Sequence, residues 1–305
     1  MSLLVFGHKN PDTDSICSSI ALSYLKNQLG FEAKPYAIGE VRKEAQFALD
    51  YFKVSAPELL TDVKGKDVIL VDHNELAQTA DGIEEANIVE IVDHHKVEIS
   101  TEVPISIRVM PVGCTCTIVY QMYKENNVEV PYEIAGLLLS AILSDTLLFK
   151  SPTCTPVDTK AARKLAKIAG VDIEEFAMEM FKAGTSLVGK TVEEIFNQDF
   201  KKFPFEQGTV GVGQVNSMDI EGFMPYKADM LDYMDKFAED NRLDFTLLLL
   251  TDIINANSEI FVAGPKPYLV EEAFNIKLND HQATLKGVIS RKKQVVPAIT
   301  AVMSK

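Results

Sequence analysis

The chain opens on Leu3-Leu4-Val5-Phe6, followed at once by Gly7-His8-Lys9-Asn10-Pro11-Asp12-Thr13-Asp14-Ser15. Four consecutive apolar residues read as a buried strand. Residues 14–29 then carry Ile16, Ile20, Leu22 and Leu25 at near-helical spacing, and Gly30 supplies a stop. Asp14 stands where an acid would cap that helix. The strand-then-polar pattern returns twice. Val68-Ile69-Leu70-Val71 leads into Asp72-His73-Asn74-Glu75, and Ile88-Val89-Glu90-Ile91-Val92 leads into Asp93-His94-His95. Residues 105–109 alternate strictly, as a strand does. Residues 115–126, 132–149 and 158–169 read as helices, the second nearly all apolar and therefore buried. Strands alternating with helices predict an α/β fold with a mainly parallel sheet flanked by helices.

At 183–190 (AGTSLVGK) small and polar residues take over, which marks a linker. The expected organisation is a domain over 1–184, a linker over 185–190 and a second domain over 191–305. Strands over 209–215, 243–250 and 259–262, with helices over 226–238 and 268–274, make the second domain a smaller α/β unit joined to the first by a hinge. No internal repeat is visible.

Of the 305 residues, 47% are hydrophobic and 24% charged, which excludes a disordered chain and leaves room for two cores. The balance of 30 Lys+Arg against 44 Asp+Glu gives a net charge of −14, so neither nucleic acid nor an anionic membrane is an expected partner. Four cysteines are too few for a disulfide framework, and reduced thiols are expected. The first residues lack a basic stretch followed by an apolar one, and the apolar runs 134–143 and 245–250 are too short to cross a bilayer. A cytoplasmic location is the expectation.

The chemistry lies at the strand ends. In a parallel sheet the strand C-termini share one edge, where ligands bind. His8, Asp12 and Asp14 follow the first strand, Asp72 the second and His94 the third. Asp145 sits inside an apolar helix, where a carboxylate is costly unless an ion neutralises it. Two imidazoles and four carboxylates suit Mn²⁺, Co²⁺ or Zn²⁺. Six ligands exceed what one ion with an open position takes, and four negative charges match two divalent ions, which can clamp a phosphoryl group. Asp93 and His73 are expected to orient ligand imidazoles. Cys114 and Cys116 have no partner pair and read as packing residues. In the last part, Ser290-Arg291-Lys292-Lys293-Gln294 is a cationic run in an acidic chain, suited to phosphate oxygens, and Lys201 and Lys202 are further candidates. No GxSxG or HExxH motif is present.

The set GHKNPDTDS, LVDHNE, IVDHH, LLSAILSDTLLFKSPT and VISRKKQVVP resembles the family II, manganese-dependent inorganic pyrophosphatases of the DHH phosphoesterase superfamily, across essentially the whole chain and including a C-terminal domain of DHHA2 type. The resemblance implies hydrolysis of pyrophosphate to two phosphates, with a hydroxide held between two metals as nucleophile. It implies two Mn²⁺ per subunit, with Co²⁺ a possible substitute, and Mg²⁺ arriving with the substrate. One metal site would be His8, Asp12, Asp72 and Asp145. The second would be Asp14, Asp72, His94 and Asp145. His95, Lys201, Arg291 and Lys292 would be the catalytic and substrate-binding residues, with Lys202 adjacent to Lys201. A homodimer through the first domain is also implied. Only about twenty residues separate Asp72 from His94, so no inserted regulatory domain is expected. Two other readings remain open at this point: a DHH hydrolase of polyphosphate, oligonucleotides or cyclic dinucleotides, and a non-catalytic phosphate or metal binder. A missing GGGH-type motif and the acidic charge speak against the first, and the full ligand set against the second.

Overall fold

The structure is a computed structural model and describes residues 2–218, 220–252 and 255–304. The chain divides into two units, Met1–Gly184 and Thr185–Lys305.

Unit 1 is built on six parallel strands: β1 (Leu3–Phe6), β2 (Ala33–Ala37), β3 (Glu58–Leu59), β4 (Asp67–Val71), β5 (Asn87–Asp93) and β6 (Ser106–Val109). Their order across the sheet is β3-β2-β1-β4-β5-β6. The chain winds outward in one direction from β1 to β3 and in the other from β4 to β6. The reversal opens a crevice at the C-terminal ends of β1 and β4. Six helices complete the unit: α1 (Thr13–Gln28), α2 (Lys43–Tyr51), α3 (Thr115–Glu125), α4 (Tyr132–Asp145), α5 (Pro156–Ala169) and α6 (Ile173–Gly184). Val68 to Val71 are all buried, as a run without alternation requires in a sheet covered on both faces. Gly7 lets the end of β1 meet α1, since a Cβ there would lie 2.4 Å from Ser15 Cβ.

Three local details differ from the sequence reading. Asp12, not Asp14, caps α1, accepting from Ser15 N at 3.0 Å. Asp14 stands two residues further on, within the first turn, and is fully buried. Helix α4 stops at Asp145 instead of 149, because Leu147, Leu148 and Phe149 are left-handed, with φ of 46°, 51° and 67°. Helix α5 begins at Pro156, where a Thr155–Asp158 capping box and proline in the first turn fix the start.

Unit 2 has a five-stranded sheet in the order β11-β10-β9-β8-β7. The strands are β7 (Phe200–Phe205), β8 (Gly208–Ser217), β9 (Phe245–Asp252), β10 (Asn257–Ala263) and β11 (Gln282–Lys286), and only the β8–β9 pair is parallel. The helices are α7 (Val192–Phe196), α8 (Lys227–Asp240), α9 (Tyr268–Phe274) and α10 (Val296–Met303). Alternation along β9 divides the core. Phe245, Leu247 and Leu249 join Val270, Ile299 and Met303 on one face, while Leu248 and Leu250 join Ile195, Phe196, Met230 and Met234 on the other.

Candidate metal centre

Five predicted ligands line one cavity of about 270 Å³ at the crevice: His8, Asp12, Asp72, His94 and Asp145. Asp14 lies in the same cluster, its carboxylate within ligand-sharing distance of His94 and Asp145. His8 arrives from the end of β1, Asp12 and Asp14 from the start of α1, Asp72 from the end of β4, His94 from the end of β5 and Asp145 from the end of α4. Asp72 is left-handed, φ 60°, so the chain turns sharply as the strand ends.

Asp72 is the centre of the arrangement. Its Oδ2 is 3.5 Å from His8 Nε2, and its Oδ1 is 3.4 Å from His94 Nε2. His8 Nε2 is also 3.5 Å from Asp12 Oδ2, and His94 Nε2 is 3.9 Å from Asp145 Oδ2. One carboxylate therefore faces two histidine–aspartate groups, one on each oxygen. The imidazoles are held by backbone carbonyls: His8 Nδ1 by Lys9 O at 2.8 Å and His94 Nδ1 by Val112 O at 3.1 Å. With Nδ1–H donating outward, each imidazole in its neutral form would turn its Nε2 lone pair to the cavity. Asp14 accepts from Thr115 N at 2.6 Å and Cys116 N at 3.0 Å, so the N-terminus of α3 fixes it. Ser15 Oγ donates to Asp72 at 2.7 Å.

The electrostatics show too much negative charge in too small a space. Burial, then the neighbouring Asp14, pushes Asp72 up to about 7. Burial, then Asp14, Asp72 and Asp12, raises Asp145 well above the usual carboxylate range. Burial alone would lower His8 and His94, but their aspartate neighbours raise each to about 9. No lysine or arginine is among the described residues lining the cavity. Closely packed carboxylates, inward-facing imidazole nitrogens and no lysine or arginine form a donor set that fits divalent ions, which would take the place of the imidazole protons.

His95 lines the same cavity but is half-exposed. Its Nδ1 lies 2.9 Å from Asp93 Oδ1. That bond, followed by burial acting in the opposite sense, leaves the imidazole raised above its ordinary value. Burial would raise Asp93, yet donors from His95, Asn74 and the backbone hold it at about 2. Asp93 therefore orients His95 and the turn that follows β5. It does not orient the ring of His94, contrary to the sequence expectation. His73 orients no ligand either: its Nδ1 meets Val71 O at 2.9 Å, and its buried Nε2 has no hydrogen-bond partner.

Two acids that sequence reasoning passed over support the cluster. Glu44, on α2, accepts from Thr13 Oγ1 at 2.6 Å and from Ser144 Oγ, the neighbours of Asp12, Asp14 and Asp145. Gly184 packs against Glu44, so it belongs to the body of unit 1 and not to a free linker. Asp158 is fully buried and accepts from Gly113 N at 2.9 Å, Thr117 Oγ1 at 2.6 Å, and Thr155 N and Oγ1 at 2.8 and 2.6 Å. It thereby pins the loop whose Val112 carbonyl orients His94. Gly113 must lack a side chain here, since a Cβ would sit 2.8 Å from Thr146 Cγ2. The partners of Glu44 stand 31 and 100 residues away, and Gly113 and Thr117 stand 45 and 41 residues from Asp158, so only the Thr155–Asp158 capping box leaves a local signal.

The expected phosphate-binding cations lie in unit 2. Lys201 and Lys202 are exposed neighbours on β7, and strand alternation points them to opposite faces. Lys202 Nζ donates to Asn241 Oδ1 at 2.7 Å and lies over the Phe237 ring. Arg291 is buried: it donates to the Asp199 carbonyl, to Val212 O at 3.2 Å and to Asp199 Oδ1 at 2.6 Å. Three of its five N–H groups are thus engaged within the unit, and two remain. Lys292 is exposed.

Fold and cluster together define a DHH-type protein with a DHHA2 partner domain. Residues 2–142 match the family model described as DHH family, N-terminal domain, and residues 178–302 match the DHHA2 domain. The chain is 50% identical over 307 residues to the manganese-dependent inorganic pyrophosphatase of Bacillus subtilis, covering 99% of each chain. It is 52% identical to a Clostridium acetobutylicum protein described as a "probable manganese-dependent inorganic pyrophosphatase", covering 98% of this chain and 97% of that one. Among solved structures, a Methanococcus jannaschii "putative family II inorganic pyrophosphatase" matches with a TM-score of 0.64 at 43% identity, covering 99% of both chains. The chain belongs to the family II, manganese-dependent inorganic pyrophosphatases.

Proposed function

We propose that this protein hydrolyses inorganic pyrophosphate to two phosphates at the unit 1 cavity, with two Mn²⁺ per subunit. The observation that carries the proposal is Asp72, one oxygen beside His8 and the other beside His94. His8, Asp12, Asp72 and Asp145 would hold one ion, and Asp14, Asp72, His94 and Asp145 the other. When bound, such a pair supplies a hydroxide nucleophile near neutral pH and Lewis-acid polarisation of phosphoryl oxygens. Co²⁺ would serve in place of Mn²⁺, and Mg²⁺ would enter with the substrate.

The protein's own contribution is orientation and charge. His95, fixed at Nδ1 by Asp93, donates from Nε2 to a phosphoryl oxygen. The same Asp93 bond raises the imidazole above its ordinary value, the direction that favours a protonated donor. Lys201, Lys292 and the two remaining N–H groups of Arg291 neutralise the other phosphate oxygens. Lys201 fits this role better than Lys202, whose ammonium already has a partner. Residues 185–190 would act as the hinge between the domains 1–184 and 191–305. The same reading gives a homodimer formed through unit 1, where β6 is an edge strand with exposed Ile107, and a cytoplasmic enzyme with reduced thiols.

The test is phosphate release from pyrophosphate, polyphosphate and a dinucleotide after chelation, with Mn²⁺, Co²⁺, Zn²⁺ and Mg²⁺ restored one at a time. Recovery on pyrophosphate with Mn²⁺ or Co²⁺ is the expected result. Preference for either longer substrate, or turnover without added metal, would overturn the reading.

A further inference from the structure

Helix α5 carries a second charged feature, outside the metal centre. Its charged residues are Asp158, Lys160, Arg163, Lys164 and Lys167. Asp158 is fully buried and spends its oxygens on Gly113, Thr117 and Thr155. The exposed face of α5 therefore shows four cations and no acid, in a chain with 44 acidic and 30 basic residues. The four stand at i, i+3, i+4 and i+7, a spacing that lines them up along one side of a helix. None of them forms an ion pair among the described residues. Like charges so placed repel one another.

Lys160, Arg163, Lys164 and Lys167 line a shallow, open cleft of about 610 Å³ together with Phe149 and Cys154. Phe149 ends the left-handed turn that follows Asp145, and that turn places the segment alongside α5. From Lys160 to Lys167 the row runs about 10 Å along the helix axis, the reach of a short chain of phosphates and longer than a single phosphate. Cleft, cations and aromatic wall together are the elements of a site for a phosphate chain with room for a stacked ring.

We propose that this cleft binds a linear polyphosphate of three or more phosphate groups, either free or carried by a nucleoside. The site is separate from the metal centre, and none of its four cations has a role in the hydrolysis proposed above. A single phosphate would engage only part of the row. A long nucleic acid would meet the net charge of −14 beyond it.

The experiment is equilibrium dialysis of the metal-loaded protein against labelled ATP, tripolyphosphate and inorganic phosphate at low salt. A parallel series uses the double variant Arg163→Glu/Lys164→Glu. Both substituted positions are exposed, so pyrophosphate hydrolysis should be unchanged and serves as the check on folding. The expected result is binding of ATP or tripolyphosphate over phosphate, weakened about tenfold or more in the double variant. Amide exchange should slow over residues 160–167 when the ligand is present. Equal binding of the two polyphosphates identifies the free chain as the ligand, and tighter ATP identifies the nucleoside form. Wild-type affinity in the double variant would overturn the proposal. So would binding of single-stranded RNA or anionic vesicles with no binding of either small polyphosphate. Polyphosphate binding by a parent protein that fails to hydrolyse pyrophosphate would count against the proposed function and leave this site standing.

Discussion

Replacing Asp158 by alanine should unfold more than a helix cap. The carboxylate accepts four hydrogen bonds with no solvent contact. The hydroxyls of Thr117 and Thr155 can rotate to other acceptors. The backbone N–H groups of Gly113 and Thr155 cannot: the buried Gly113 donor costs about 1–3 kcal/mol when orphaned, and loss of the half-buried Thr155 cap costs about 0.5–2 kcal/mol. A water entering the vacated space recovers part of this, so the net loss should be about 3–4 kcal/mol. At about 2–4 °C per kcal/mol for a unit of this size, the melting temperature should fall by roughly 6–16 °C. The second consequence is chemical. Val112, beside Gly113, supplies the carbonyl that holds His94 Nδ1, so a loosened loop should weaken metal affinity by about 10- to 100-fold. Calorimetry at fixed free Mn²⁺ and a metal titration on the same preparation measure both. A melting temperature within about 2 °C of the parent would refute the hydrogen-bond accounting. Full destabilisation with parental metal affinity would refute the link from Asp158 through the loop to His94.

Three further outcomes are expected. Asp72→Asn keeps the shape but removes the shared charge, so metal content should fall below two ions per chain with the circular dichroism unchanged; two ions retained would rule out bridging. Lys201→Ala should raise KM for pyrophosphate by about tenfold and Lys202→Ala should leave it nearly unchanged; the opposite pattern would exchange their roles. Burial lowers His73 from 6.5 to about 4, so below pH 6.5 the unfolded chain takes up a proton that the folded one refuses. Stability is then lost as pH falls from 6.5 towards 4, by about 3 kcal/mol in all. Urea midpoints across that range should drop less steeply for His73→Gln, and parallel slopes would exclude the contribution.

The strands ending at His8, Asp72 and His94 were legible because buried parallel strands are short apolar runs and their polar successors stand at one edge. The helix carrying Asp145 was legible from its apolar composition, but its end was not. Leucine and phenylalanine give no warning of the left-handed turn over 147–149, which is set by packing and not by propensity. The short strands β2 and β3 escaped notice because Lys34, Pro35 and Glu58 interrupt any apolar pattern. Glu44 and Asp158 were not singled out. Their roles depend on partners brought close only by the fold. Arg291 was read as a free phosphate ligand, whereas the structure shows most of its donors already committed to Asp199 and Val212.

The strand order has a consequence for how the protein is made. On the proposed reading the metal ligands come from the ends of β1, β4, β5 and α4 and from the start of α1, and the last of them is residue 145. A nascent chain leaving the ribosome holds only His8, Asp12 and Asp14 for the first part of its synthesis, with no partner strand to complete a coordination shell. Ion capture therefore has to wait until nearly the whole first unit has emerged, and cations can be gained only once its long-range parallel pairing is in place.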